Sequence, residues 1–188
     1  SDWSSDVCSS DLKKEAERFF NEYKFCERIG DMNSAERKLE AAIALNPDSP
    51  QYRIELASFI MRKADVPIRK RGQEDLCFNA LLDAALRALD ILDETKERFP
   101  DYQKPIYSQL SMSPLHNLIN NKGNFSKETL NKAYEFADRY RPRKNEEIKR
   151  IYYQFDLADG INSLAELDKF NRYCFYSTTI DNYMDKEK

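Results

Sequence analysis

The hydrophobic positions near the start of the chain recur every three or four residues, which is the spacing of an amphipathic helix. In the segment 14–29 these positions include Phe19, Tyr23 and Cys26, and Gly30 follows as a helix stop. We therefore predict a first helix that ends just before Gly30.

Two further helices follow at the same spacing. Ser34 is placed to cap the first of them, which runs to about Leu45. The segment 46–50 then breaks the pattern, and Pro50 suits the first position of the next helix. That third helix is expected to end near Ala64.

A long helix predicted over residues 74–98 carries its polar residues in one stripe. The stripe consists of Asp83, Arg87, Asp90 and Glu94, whereas nearly every other residue from 76 to 92 is apolar. Such a helix meets water along one narrow strip and packs against neighbours on its other sides. We therefore expect it to form the central layer of a stack of helices.

The remainder of the chain predicts shorter helices. Ile106, Tyr107 and Leu110 lie on a short one, and Pro142 closes another that begins at Ser126. The expected ranges after residue 110 are 113–121, 126–140, 145–158 and 163–183. Only four glycines and seven prolines occur among 188 residues, of which 34% are charged, and this composition favours helices over strands. The predicted fold class is all-α.

Residues 2–12, DWSSDVCSSDL, show neither helical nor strand spacing. Back-translated, these eleven residues resemble a synthetic sequencing adapter read in frame. We therefore predict that residues 1–12 are an artefactual, disordered leader. Without Asp2, Asp6 and Asp11, the net charge of −3 disappears and 30 basic residues face 30 acidic ones. A neutral chain has no bulk attraction to nucleic acid or to an anionic membrane.

Cysteine and histidine usage predicts no metal and no cofactor. Cys26, Cys77 and Cys174 are far apart, no CxxC pair is present, and His116 is the only histidine. This pattern argues against a zinc site or a disulfide framework and favours a reducing, cytoplasmic location. The sequence also has no phosphate-binding glycine loop and no apolar run near the roughly 18 residues that span a bilayer. We predict neither enzyme activity nor membrane insertion.

Glycine, alanine and proline recur in a fixed order. Gly30, Ala35, Leu39, Ala42 and Pro47 step by 5, 4, 3 and 5 residues. In such a pattern glycine turns between two helices, a small alanine allows their close approach, and proline ends the second helix. Two echoes keep the steps of 4, 3 and 5. They are Ala88, Leu92, Thr95 and Pro100, and then Leu130, Tyr134, Ala137 and Pro142.

This pattern resembles the second half of a tetratricopeptide repeat, although the three copies are unevenly spaced. The resemblance covers about residues 14–142. It implies a right-handed superhelix of stacked antiparallel helix pairs, an α-solenoid. We therefore predict helical repeats over residues 13–142 and a C-terminal helical pair over 143–188 that is a cap or a fourth repeat. A closed helical bundle is the alternative architecture.

The resemblance also implies a binding surface, because stacked helix pairs form an extended concave groove. In tetratricopeptide repeats the first helix of each pair lines this groove. The groove residues implied here are Phe20, Lys24, Glu27, Arg28, Ile54, Ser58, Met61 and Arg62. Phe19, Tyr23 and Cys26 are expected to face the core instead. The implied function is a non-catalytic protein–protein interaction module for a peptide or helix with apolar anchors and some acid.

Two other functions stay open. The repeats could be the sensor arm of a larger signalling or defence NTPase whose catalytic domain lies upstream. The basic and aromatic residues between Arg139 and Arg150 could instead track a nucleic-acid backbone and stack bases. A charged helix–helix turn explains the same residues, so nucleic acid is the less favoured partner.

Overall fold

The computed structural model describes residues 3–65, 72–110 and 125–154, and it is helical without strands in these ranges. The helices are α1 (Trp3–Arg28), α2 (Met32–Leu45), α3 (Pro50–Ala64), α4 (Glu74–Arg98), a 3₁₀ helix (Tyr107–Gln109) and α5 (Lys127–Gln154). The all-α class is therefore confirmed. The helices predicted at 113–121 and 163–183, together with His116 and Cys174, lie outside the described residues.

Helix α1 begins much earlier than the sequence pattern predicts. Its backbone is helical from Trp3, so the disorder predicted for the leader is wrong for residues 3–12. Extending an existing helix costs little once a first turn has formed, and acidic residues are favoured near a helix N-terminus. The adapter-like origin of this segment stays a prediction.

A tight turn joins α1 to α2. Gly30 has a φ of +83°, in the left-handed region where only glycine is unstrained. The side chain of Asp31 then accepts a hydrogen bond from the Ser34 amide at 3.0 Å. Asp31 is therefore the helix cap, and the prediction of Ser34 in that role is wrong because α2 already starts at Met32.

Replacing Gly30 with alanine is expected to lower the free energy of unfolding by about 1 kcal/mol, because an L-residue is strained at positive φ. No heavy atom lies within 4 Å of the added Cβ, so the cost comes from the backbone alone. Urea unfolding followed by circular dichroism measures it. The control is Asn33→Ala, an exposed position inside α2 where little change is expected. Equal stability of the two variants would contradict the assigned turn.

Two clusters of buried side chains form the core, and α3 contributes to both. The first cluster lies between α1, α2 and α3 and contains Tyr23, Ala35, Leu39 and Phe59. The second joins α3 to α4, the 3₁₀ helix and α5. From α3 it takes Ile54, Ala57 and Met61. Phe59 lies on the opposite side of α3 from these three, since successive residues rotate by about 100° around a helix.

The central position predicted for α4 is confirmed. Its four stripe residues are exposed, while its other sides contact α3 and α5. The buried residues of α4 are Phe78, Leu81, Leu82, Ala85, Ala88, Leu89, Leu92 and Thr95. Three of these, Ala88, Leu92 and Thr95, belong to the periodic pattern, as do the fully buried Ala35, Leu39 and Ala42 of α2.

Helix α5 is continuous from Lys127 to Gln154, with Pro142 inside it. The predicted break between two helices at this proline is therefore wrong. Proline removes one backbone hydrogen bond from a helix, and nearby side-chain contacts offset that loss here. The guanidinium of Arg143 donates to the carbonyl of Arg139, and Arg143 also binds Asp93 of α4. The helix begins directly after Ser126, close to its predicted start, and the Oγ of Ser126 accepts a hydrogen bond from the amide of Thr129.

Candidate binding surface on helices α1 and α3

Aromatic rings of α1 contact aromatic rings of α3. The ring of Tyr23 meets Phe59 edge-on, with centroids 5.5 Å apart and an interplanar angle of 87°. Nearer the surface, Phe20 stacks on Tyr52 at 4.7 Å and 27°. Tyr23 and Phe59 are buried, whereas Phe20 and Tyr52 are half-buried. The two helices thus present one continuous surface with an aromatic stack between them.

Six of the eight predicted groove residues reach the surface, wholly or in part. On α1, Lys24 and Arg28 are exposed, while Phe20 and Glu27 are half-buried. On α3, Arg62 is exposed and Ser58 is half-buried. These side chains form, with Tyr52 and Glu55, what we call the α1–α3 face.

The prediction is wrong for Ile54 and Met61. They are only 4% and 1% exposed and lie in the second core cluster, against α4. The spacing of Ile54, Ala57 and Met61 gives α3 a second apolar side, and α4 covers it. Neither side chain is available to a partner, so the apolar part of the α1–α3 face comes from Phe20 and Tyr52.

Lys24 is the cation closest to the aromatic stack. Its Nζ lies 4.4 Å from the centroid of Phe20, which is cation–π distance. One turn later, the guanidinium carbon of Arg28 lies 5.6 Å from the centroid of Phe25. Neither Lys24 nor Arg28 forms an ion pair with a carboxylate of the described residues. Their positive charges are therefore not neutralised within this part of the chain.

Arg62, in contrast, is paired with two carboxylates. Its Nε donates to Glu27 at 2.7 Å, and its Nη2 donates to Glu55 at 2.7 Å and to the hydroxyl of Tyr23 at 2.8 Å. The Tyr23 hydroxyl in turn donates to Glu55 at 2.6 Å. Burial and this bond to Glu55 raise the pKa of Tyr23 well above its usual range. The network ties α1 to α3 and leaves Arg62 little capacity for a partner's anion.

The basic and aromatic region near the end of α5 is tied to α4. Arg143 makes a bidentate contact with Asp93, with Nε–Oδ1 and Nη2–Oδ2 distances of 2.6 and 2.8 Å, and Arg139 binds Asp90. Tyr140 is buried and donates to the backbone carbonyl of Tyr107 at 3.1 Å. These groups hold α5 against α4. The helix–helix turn expected at these residues is wrong, because α5 is continuous through them. The side chains of Arg141, Lys149, Arg150, Tyr152 and Tyr153 lie outside the described residues.

The sequence interpretation missed two features. Tyr52, which completes the aromatic stack, follows a proline-rich break, and its helical spacing from Leu56 and Phe59 could have identified it. Glu147 is only 7% exposed and accepts hydrogen bonds from backbone and side-chain groups of Ile106 and Ser108. No sequence signal marks Glu147, because it is one glutamate in a highly charged segment.

Other chemistry is not evident in the described ranges. Cys26 and Cys77 are half-buried free thiols. Within residues 3–65, 72–110 and 125–154, no three His, Cys, Asp or Glu side chains are grouped as metal ligands would be. In the same ranges, no helix combines the length and apolarity that crossing a membrane requires. The α1–α3 face is accordingly the candidate site.

No protein-family model, curated protein or solved structure matches this chain. The resemblance to tetratricopeptide repeats therefore stays a prediction carried by residue spacing.

Proposed function

We propose that this chain is a tetratricopeptide-like repeat module that binds another protein through the α1–α3 face. The packing order supports the proposal, because α1 packs on α2, α2 on α3, and α3 on α4. Four small residues of the periodic pattern are buried, namely Ala35, Ala42, Ala88 and Thr95. In this arrangement α1 and α3 are the first helices of successive pairs and line the groove of a superhelix.

The observation that carries the proposal is the half-buried stack of Phe20 and Tyr52 beside Lys24. Aromatic side chains supply large contact area and are enriched where proteins bind one another. Lys24 is exposed and unpaired within the described residues, so it can meet a partner's carboxylate without first breaking an ion pair. An apolar anchor next to a free cation suits a peptide or helix that carries an acidic residue beside an apolar one.

The ion pairs of Arg62 limit which partner sequences can bind. Glu27 and Glu55 both bind its guanidinium, so the network as a whole presents no excess positive charge. A second acidic residue placed over α3 would approach these two carboxylates and be repelled. We therefore expect one acidic residue near Lys24, with apolar or neutral residues over α3.

Selection from a random peptide display library tests the proposal. The chain is expected to enrich peptides with an acidic residue next to an aromatic or aliphatic one. For a synthesised winner, fluorescence anisotropy should show that Lys24→Glu raises Kd at least about tenfold, which corresponds to about 1.4 kcal/mol. Tyr52→Ala should weaken binding to a similar degree through loss of the stack.

The matched control is Arg37→Glu, which makes the same charge reversal at an exposed position on α2. It is expected to change Kd by less than about twofold, since distant surface charges act weakly at physiological salt. The proposed site would be refuted if no peptide were recovered. It would also be refuted if neither Lys24→Glu nor Tyr52→Ala changed the Kd of the recovered peptides.

A further inference from the structure

The segment 106–110, which we call the strap, lies between α4 and α5 and is held on both sides. Ile106, Tyr107 and Leu110 are buried in the second core cluster, against α4 and α5. The strap includes the 3₁₀ helix, so most of its backbone groups have no partner in a long helix. Side chains of the neighbouring helices supply the missing partners.

Three side chains fasten the strap. Glu147 of α5 accepts hydrogen bonds from the amides of Ile106 and Ser108 and from the Ser108 hydroxyl, the last two at 2.9 Å. The hydroxyl of Tyr107 donates to Asp93 of α4 at 2.8 Å. Tyr140 of α5 donates to the carbonyl of Tyr107. A carboxylate that accepts several N–H and O–H groups in a buried place makes strong, charge-assisted bonds.

Pro142 separates α5 into two parts. It has no amide hydrogen, so it cannot donate the helical hydrogen bond that an ordinary residue at this position would donate. The part beyond it, residues 143–154, carries Glu147, while Arg143 at its start binds Asp93. Among the described side chains of this second part, Arg143 binds α4 and Glu147 binds the strap.

We infer that the strap and residues 143–154 open and close as one unit, which we call the latch. Residues 143–154 move about Pro142, and the hydrogen bonds from the strap to Glu147 hold the unit closed. Opening the second part of α5 withdraws Glu147 and leaves the amides of Ile106 and Ser108 without acceptors. Release of the strap, in turn, leaves a buried carboxylate without donors. Each of these half-open states leaves buried polar groups unpaired, which is costly, so the two segments move together.

Hydrogen exchange measured by mass spectrometry tests this coupling on the whole chain. In the unaltered protein, peptides from the strap and from residues 143–154 should share one opening free energy and one urea dependence, below the values for α3 and α4. Glu147→Gln should speed exchange in both segments about tenfold, because the amide group keeps one acceptor oxygen but turns a donor toward the other N–H. Exchange in α1–α3 should not change.

The matched control is Glu146→Gln, an identical change at the exposed neighbouring residue, which should leave all exchange rates as they were. Pro142→Ala should slow exchange in residues 143–154, because it restores the missing ladder bond. The latch would be overturned if Glu147→Gln sped exchange in only one of the two segments. It would also be overturned if the two segments had different opening free energies in the unaltered protein. Equal acceleration in every helix would overturn it as well.

Discussion

Replacing Phe59 with alanine is expected to lower the free energy of unfolding by about 3–5 kcal/mol. Phe59 is fully buried where α1, α2 and α3 meet, and it is one of the largest side chains of the first core cluster. Its removal leaves a cavity and deletes the edge-on contact with Tyr23. Because α3 also belongs to the second cluster, the loss should lower the midpoint of one common transition. Urea unfolding followed by circular dichroism gives both the midpoint and the cooperativity.

Phe25→Ala on α1 is the control for this prediction. It deletes the same side chain at a position that is 53% exposed, where the loss should be within about 0.5 kcal/mol. Equal effects of the two substitutions would contradict the burial assigned to Phe59. An early transition confined to α1 and α2, with α3 and α4 intact, would contradict the role of α3 as a shared layer.

Alkaline pH is expected to destabilise this protein steeply. Burial, followed by hydrogen bonds to Glu55 and Asp93, raises the pKa of Tyr23 and Tyr107, and burial with the nearby Glu147 charge raises the pKa of Tyr140. An unfolded tyrosine ionises near pH 10, so above that pH the unfolded state loses protons that the folded state keeps. Stability is therefore fully present below pH ~10 and falls as the pH rises beyond it. For each tyrosine this slope approaches about 1.4 kcal/mol per pH unit once the pH is well above 10.

Urea unfolding at pH 9, 10 and 11, with tyrosinate absorbance as a second signal, measures this slope. Tyr23→Phe should make it shallower, because one of the groups whose pKa is raised has been removed. A stability that stays constant from pH 9 to 11, or a slope that Tyr23→Phe does not alter, would show that these hydroxyls ionise as freely in the folded chain as in the unfolded one.

Local signals in the sequence predicted the helices well. The polar stripe of α4 and the proline at the start of α3 each depend on neighbours along the chain, and both predictions are confirmed. Gly30 likewise lies at the predicted turn, with the positive φ that glycine permits. These features are local, because helical spacing and backbone freedom are properties of the segment itself.

Features that depend on distant residues were not predictable in this way. The spacing of Ile54 and Met61 showed that both are on an apolar side of α3, but only the position of α4 decides that this side is covered. Pro142 stays inside α5 because contacts with α4 and the strap support both parts of the helix. Glu147 accepts hydrogen bonds from a segment some forty residues earlier in the chain, so its neighbours in the sequence do not predict that role.

The use of two opposite sides of α3 has a consequence for recognition. A helix held by one apolar side can roll to improve a contact, whereas α3 cannot turn toward one cluster without withdrawing from the other. The positions of Tyr52 and Ser58 are therefore set before any partner arrives. On binding to this face, conformational entropy would be lost mainly by the peptide and not by the protein. A rigid or cyclised peptide should therefore bind more tightly than a flexible peptide of the same sequence.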